Sequence, residues 1–122
     1  CYLNVTSPLL KDKSLMEAIK IFIQNYPKYK SLASVSIIKE YLWYRNKAIN
    51  YDPLNHPKSQ NLPDYFSVNF GVNIISTKVM RDEKLLVKKG FLPYRLTFPE
   101  NIDIDTEDDF FLAEYFYKRN FK

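Results

Sequence analysis

Asn101-Ile102-Asp103-Ile104-Asp105-Thr106-Glu107-Asp108-Asp109-Phe110 changes its hydrophobic period part-way along. Over 101–105 polar and apolar residues alternate strictly, which is the period of a half-buried strand. Beyond Thr106 the apolar residues Phe110, Leu112, Ala113, Phe116 and Tyr117 supply one side of a helix, expected over about 107–119. Thr106 followed three residues later by Asp109 marks the junction as a capping box. A strand feeding a helix is the building unit of α/β folds.

The same alternation of elements runs through the rest of the chain. Cys1-Tyr2-Leu3-Asn4-Val5 reads as a short buried strand, bounded by Thr6-Ser7-Pro8. Ser14 and Glu17 resemble a capping box, and Leu15, Ala18, Ile19, Phe22 and Ile23 recur at helical spacing. A helix is expected from about 14 to 26, stopped by Pro27. Residues 33–38 read as a strand, and Leu42 to Ile49 as another, anchored by Trp43 and Tyr44. Pro53, Pro57 and Pro63 make 50–64 an irregular arm. Phe70 to Ile75 is strand-like, Thr77 to Arg81 a short helix, and 91–98 a strand placed near an edge by Pro93. The connection within 1–38 is long enough for a parallel crossover. The fold class expected is therefore α/β.

Composition bounds the function classes. The chain has 122 residues, 46% of them hydrophobic, enough for a single compact domain with a modest core. Ten Tyr and nine Phe against two Gly give many large side chains and few obligate left-handed turns. The formal charge is +4, but the lysines are scattered, so no nucleic acid is expected as a partner. A basic cleft for a phosphate-bearing small molecule suits the same charge. No apolar run approaches a membrane span, and no signal peptide is visible. Cys1 is the single cysteine, which excludes an intramolecular disulfide and fits a reducing cytoplasm. The opening residues read as mid-strand, so an N-terminal nucleotide-binding segment is expected upstream of them. His56, the one histidine, has no partner for a histidine-based triad or zinc site.

Three segments offer chemistry. On a strand, Asp103 and Asp105 project to one face while Ile102 and Ile104 pack. Two adjacent carboxylates repel unless a cation or donors separate them, and Mg²⁺ is commonly held by one or two carboxylates plus substrate phosphates. A strand end before a helix is also where α/β sheets bind ligands. On spacing alone the alternative stands: Asp105 or Thr106 caps the helix and Asp103 is solvated. Thr6-Ser7-Pro8-Leu9 puts hydroxyls and backbone N–H groups at a strand end, as an ordinary turn also does. Lys58-Ser59-Gln60-Asn61-Leu62-Pro63 supplies a cation and two amides suited to a sugar carboxylate and hydroxyls, or simply to water.

Taken in order, these segments resemble the acylneuraminate cytidylyltransferases, the CMP-sialic acid, CMP-legionaminic acid and CMP-pseudaminic acid synthetases. The family's gln-pro-thr-ser-pro-leu-arg appears as Asn4-Val5-Thr6-Ser7-Pro8-Leu9-Leu10. Its arg-ser-gln-asp-leu-pro loop appears as Lys58 to Pro63, and its asn-gly strand as Val68-Asn69-Phe70-Gly71-Val72. Its ser-ile-asp-ile-asp-thr pattern appears as Asn101 to Thr106. The match runs from residue 3 to the end, with a slight lean toward the legionaminic-type branch.

The resemblance implies a Rossmann-like nucleotidyltransferase sheet with flanking helices, of which this chain is the C-terminal part. It implies transfer of CMP from CTP to a nonulosonic sugar acid, with release of pyrophosphate. Asp103 and Asp105 become catalytic and metal ligands for Mg²⁺ or Mn²⁺, and Asp103 also helps to activate the sugar hydroxyl. Asn4, Thr6, Ser7, Lys58, Gln60 and Asn69 become substrate contacts. The family is homodimeric, with residues about 40–92 here as the dimerisation arm. Lys58 in place of arginine keeps the charge but not the bidentate fork. The family's basic, glycine-containing phosphate loop has no counterpart in these residues, so this stretch alone is expected to be inactive. Two other readings stand beside it: a sugar-nucleotide-dependent glycosyltransferase, and a non-catalytic dimerising module.

Overall fold

The computed structural model describes residues 1–120. Its contacts divide into two units: Cys1–Ser36 together with Val68 onward, and Ile37–Ser67.

The first unit is built on a four-stranded mixed sheet. Its strands are β1 (Tyr2–Leu3), β2 (Ser31–Ile38), β5 (Tyr65–Ile75) and β6 (Leu92–Arg95), in the order β1-β5-β2-β6. β1 runs antiparallel to β5, and β6 parallel to β2. Ser76 N–H donates to Lys30 O, and Val72 N–H donates to the Ser34 hydroxyl. The Asn69 amide reaches Ser36. Positions rising along β2 thus meet positions falling along β5, the sense of an antiparallel pair. β1 and β2 consequently point the same way, linked by helix α1 (Asp12–Asn25) across the intervening β5.

β2 is buried from Ser31 to Val35 without alternation, as a central strand covered on both faces must be. On one face Leu32, Val72 and Ile74 pack against Ala18 and Phe22 of α1. This is the amphipathic face expected from sequence, and Ala18 and Leu32 are wholly buried. A smaller cluster joins Leu9, Ile102 and Ala113, the last from α3 (Glu107–Asn120). Gly71 lets β5 pass close to Leu96: a Cβ there would meet Leu96 Cδ1 at 2.9 Å, so the buried leucine side chain would have to shift.

Several local expectations are corrected. α1 begins at Asp12, with Lys11 as an N-cap that makes no side-chain cap bond. The Ser14–Glu17 capping box does not form, because the helix starts two residues earlier and Ser14 lies inside its first turn; Glu17 accepts a hydrogen bond from the Tyr94 hydroxyl at 3.0 Å. Burial together with Glu17 pushes the Tyr94 hydroxyl up to about 12. β1 is an edge strand with exposed side chains, not a buried one. The expected strand over 91–98 ends at Arg95, although its edge position holds. Residues 102–105 form no ladder at all. Their alternation reflects Ile102 and Ile104 packing beside α3. The short helix expected from Thr77 is α2, Thr77–Glu83, capped by the Ser76 hydroxyl.

In the second unit, 42–49 is not one strand but a hairpin, β3 (Trp43–Tyr44) against β4 (Lys47–Ala48). Arg45 and Asn46 between them both take positive φ, 46° and 61°, as a two-residue primed turn demands. Buried Asn50 pins the hairpin base, accepting from Leu42 N–H (2.8 Å) and donating to Glu40 O (2.7 Å). Trp43 and Tyr44 are exposed rather than anchoring. Tyr41, Trp43, Tyr51 and His56 form a chain of edge and tilted ring contacts. The proline-rich arm is irregular as expected, apart from a 3-10 turn over Ser59–Asn61.

Leu32→Ala is expected to cost about 2–5 kcal/mol of stability, whereas Met16→Ala, on the exposed side of α1, should stay within about 0.5 kcal/mol. Urea unfolding of the two variants beside the parent checks this.

Candidate functional site

The turn after β1 and the acidic loop before α3 are fastened to each other. Thr6 Oγ1 donates a short hydrogen bond to Asp103 Oδ1, and Ile104 N–H donates to Thr6 O at 2.9 Å. These partners lie 97 residues apart for the side-chain bond. The apolar partners beneath, Leu9 with Ile102 and Ile104, hold the two segments in contact. Asp103 is half-buried and Asp105 exposed. Among the described residues no Lys or Arg forms an ion pair with either acid, and the Asp105 carboxylate has no hydrogen-bond partner.

The residues present suit a hard divalent cation in a limited way. They offer oxygen donors, one of them oriented by Thr6. No group of three or more His, Cys, Asp or Glu is gathered among the described residues. An ion there would take the rest of its shell from water and from phosphate oxygens, the usual arrangement for Mg²⁺.

The helix that follows is capped as its sequence foretold. The Thr106 N–H and hydroxyl donate to Asp109 Oδ2 at 2.9 and 2.7 Å, and Asp109 N–H donates back to Thr106 Oγ1 at 3.3 Å. These bonds hold the Asp109 carboxyl below its ordinary value. Thr106 is therefore the N-cap, as the alternative reading of the spacing allowed, with Asp109 as its reciprocal partner; Asp105 contributes only its backbone N–H, at 3.3 Å from Asp109.

Asn4 and Ser7 line a cleft of about 280 Å³ with Lys11 and Asp12. Ser7 is 7% exposed, so its part is chiefly the turn itself, through Ser7 N–H to Asn4 O at 3.2 Å. Lys11 pairs with Glu100 at 3.6 Å, so the cleft's cation is partly neutralised. A separate groove of about 280 Å³ beside Ile104, Pro8, Phe110 and Tyr117 is almost wholly apolar.

Asn69 is committed to a polar network inside the sheet. The Ser34 hydroxyl donates to Asn69 Oδ1 at 2.6 Å, and Asn69 Nδ2 donates to Ser36 Oγ at 3.1 Å. Asn101 Nδ2 donates to the same Ser36 oxygen at 3.0 Å. Asn101 thereby ties the segment leading to Asp103 onto β2. Sequence reading missed Ser34, Ser36 and Asn101, although two serines at i and i+2 of a strand mark a polar stripe on one face. In the second unit Lys58 and Gln60 are exposed, with Lys58 O accepting from Asn61 N–H at 2.8 Å to open the 3-10 turn.

No protein-family model matches the chain, and no curated protein matches it significantly. No helix among the described residues is long and apolar enough to cross a membrane.

The Asp109 cap carries a pH signature. A carboxylate whose folded pKa is depressed stabilises fully above its unfolded pKa, 3.8 here. That contribution is lost as pH falls below 3.8 toward the lower folded value. Asp109→Ala is expected to be less stable than the parent at pH 7, with the gap closing on acidification through this window; thermal melts from pH 7 to pH 2 measure it.

Proposed function

We propose that the protein is a nucleotidyltransferase that transfers CMP from CTP to a nonulosonic sugar acid. The observation that carries this reading is the fastening of Thr6 to Asp103. It joins the two segments that the cytidylyltransferase resemblance assigns to the reacting centre, and leaves the Asp105 carboxylate beside them without a partner among the described residues. The mixed α/β sheet, with α1 connecting two strands of like direction, is compatible with a Rossmann-like design.

In this reading the anomeric hydroxyl of the sugar acid attacks the α-phosphate of CTP, and pyrophosphate leaves. Asp103 and Asp105 hold the divalent ion, which supplies charge neutralisation on the phosphate oxygens. Thr6 keeps the Asp103 carboxylate in one orientation, so little reorganisation is needed when charge develops. Asn4 presents an amide to the substrate from the cleft wall. The Ser7 turn shapes that wall. The second N–H of Asn69 Nδ2 remains for a sugar hydroxyl; Lys58 and Gln60 of the second unit keep only the role that the resemblance gives them, a point charge and an amide for the sugar acid. The working form in this reading is a cytoplasmic homodimer.

The test is formation of CMP-sugar from CTP and N-acetylneuraminic or legionaminic acid by the full gene product, read by mass spectrometry with pyrophosphate release in parallel. Asp103→Asn and Asp105→Asn are each expected to lower kcat by about a hundredfold or more, with Asp108→Asn near the parent rate. Turnover of a preformed sugar nucleotide, with none of CTP, would replace this reading by a glycosyltransferase. Equal rates in all variants would remove the two acids from the chemistry.

A further inference from the structure

β5 breaks its own alternation at Phe70, which takes φ 55°. A left-handed aromatic residue inside a strand is strained, and such strain persists only where the surroundings hold it in place. Its consequence is the placement of Asn69. Val72 faces the α1 core together with Leu32. Ser34 and Ser36 lie two and four residues beyond Leu32, on that same face of β2. Strict alternation back from Val72 would turn Asn69 to the opposite face. Instead its amide lies between the two serines, accepting from Ser34 Oγ at 2.6 Å and donating to Ser36 Oγ at 3.1 Å. The Gly71 N–H also donates to Asn69 Oδ1, at 3.3 Å. A backbone N–H can only donate, so it fixes which end of the amide is the oxygen. Both lone pairs and one N–H of Asn69 are thereby used, and the remaining N–H has a set direction.

Ser36 Oγ is the meeting point of two segments. It receives Asn69 Nδ2 from β5 and, at 3.0 Å, Asn101 Nδ2 from the segment leading to Asp103. Ile104 N–H, on the far side of Asp103, returns to Thr6 O. The span that carries Asp103 is thus held on either side, to β2 by Asn101 and to the turn after β1 by Ile104. β1 and β2 point the same way and β5 opposes β1. The turn after β1, the last part of β2 and the first part of β5 therefore reach one edge of the sheet. At that edge a single serine oxygen sets the spacing between the proposed sugar contact and the proposed metal loop.

We propose that Ser36 is a positioning residue for the transfer reaction, setting the Asn69 amide and the Asp103 loop relative to each other. The inference rests on the nucleotidyl-transfer reading for what those two elements bind. Ser36 acts through the two asparagines and not on substrate or metal. Without its oxygen both Nδ2 groups lose their acceptor. The Asn69 amide then loses its orientation toward the sugar acid, and the loop loses its tether to the sheet.

The test uses the full gene product, with Ile104 amide exchange read by NMR beside the sugar-acid KM and the half-saturating Mn²⁺ concentration. In Ser36→Ala all three are expected to change by about tenfold toward faster exchange and weaker binding, the scale of one lost hydrogen bond on each side. Asn101→Ala cuts only the loop side; it is expected to change the exchange and the Mn²⁺ requirement alike and to spare the sugar-acid KM. Ser31→Ala removes another buried β2 hydroxyl, which accepts from Lys88 N–H at 3.1 Å. It is expected to lower Tm and leave the three readouts at parent values. Parent values of all three in folded Ser36→Ala would overturn the proposal. So would equal changes in Ser31→Ala, which would make the loss one of general stability. If Ser36→Ala does not fold, Asn101→Ala decides, and unchanged exchange and Mn²⁺ requirement there overturn it. If the parent turns over no CTP, the transfer reading fails by itself; Ile104 exchange then still decides whether Ser36 holds the loop, and parent exchange in Ser36→Ala overturns that too.

Discussion

The joining of Thr6 to Asp103, backed by the Ile104–Thr6 backbone bond, is the contact on which the functional geometry depends. Neither segment belongs to a sheet ladder at that point. A loop alone would leave Asp103 free to rotate. Pairing it with the turn after β1 fixes one carboxylate oxygen and presents the acidic loop at the end of a sheet strand. The bond is charge-assisted, which makes it stronger than a neutral pair. Its apolar support comes from Leu9, Ile102 and Ala113, so packing and polar contact act in the same direction.

Two further fastenings bound the same loop. Upstream, Asn101 and Asn69 both donate to Ser36, joining loop, β5 and β2 at one oxygen. Downstream, the Thr106–Asp109 box sets where α3 begins. The acidic pair thus lies between a sheet tether and a helix cap. Asp109 is taken up by the cap and Asp103 is oriented by Thr6, whereas the Asp105 carboxylate has no hydrogen-bond or ion-pair partner among the described residues.

Much of this was legible in the sequence, and the exceptions have physical causes. α1 and α3 were readable because Ala18 with Phe22, and Ala113 with Phe116, recur at helical spacing against a core. The Thr106 box was readable because its partners are three residues apart. The Ser14–Glu17 box failed because the helix begins at Asp12, which puts Ser14 inside the first turn and not at its N-cap. The alternation over 101–105 was real but was produced by packing beside α3, not by strand pairing. The hairpin at 43–48 lacks the glycine that usually announces such a turn; Arg45 and Asn46 adopt positive φ instead. Of the candidate site, the carboxylates and Thr6 were visible singly. That they meet depends on contacts across almost the whole chain, and local pattern does not carry that information. Ser36 and Asn101 went unread for the same reason.

The central claim is that Asp103 and Asp105 together hold a divalent cation. Titrating the ¹⁵N-labelled protein with Mn²⁺, with and without CTP, tests it most directly, because the ion broadens signals only near its binding position. The account predicts selective loss of the Thr6, Asp103, Ile104 and Asp105 amide signals at low Mn²⁺, restored by excess Mg²⁺ and absent in the doubly substituted Asp103→Asn, Asp105→Asn protein. Broadening spread evenly over surface acids, or persisting unchanged in that double variant, would contradict it.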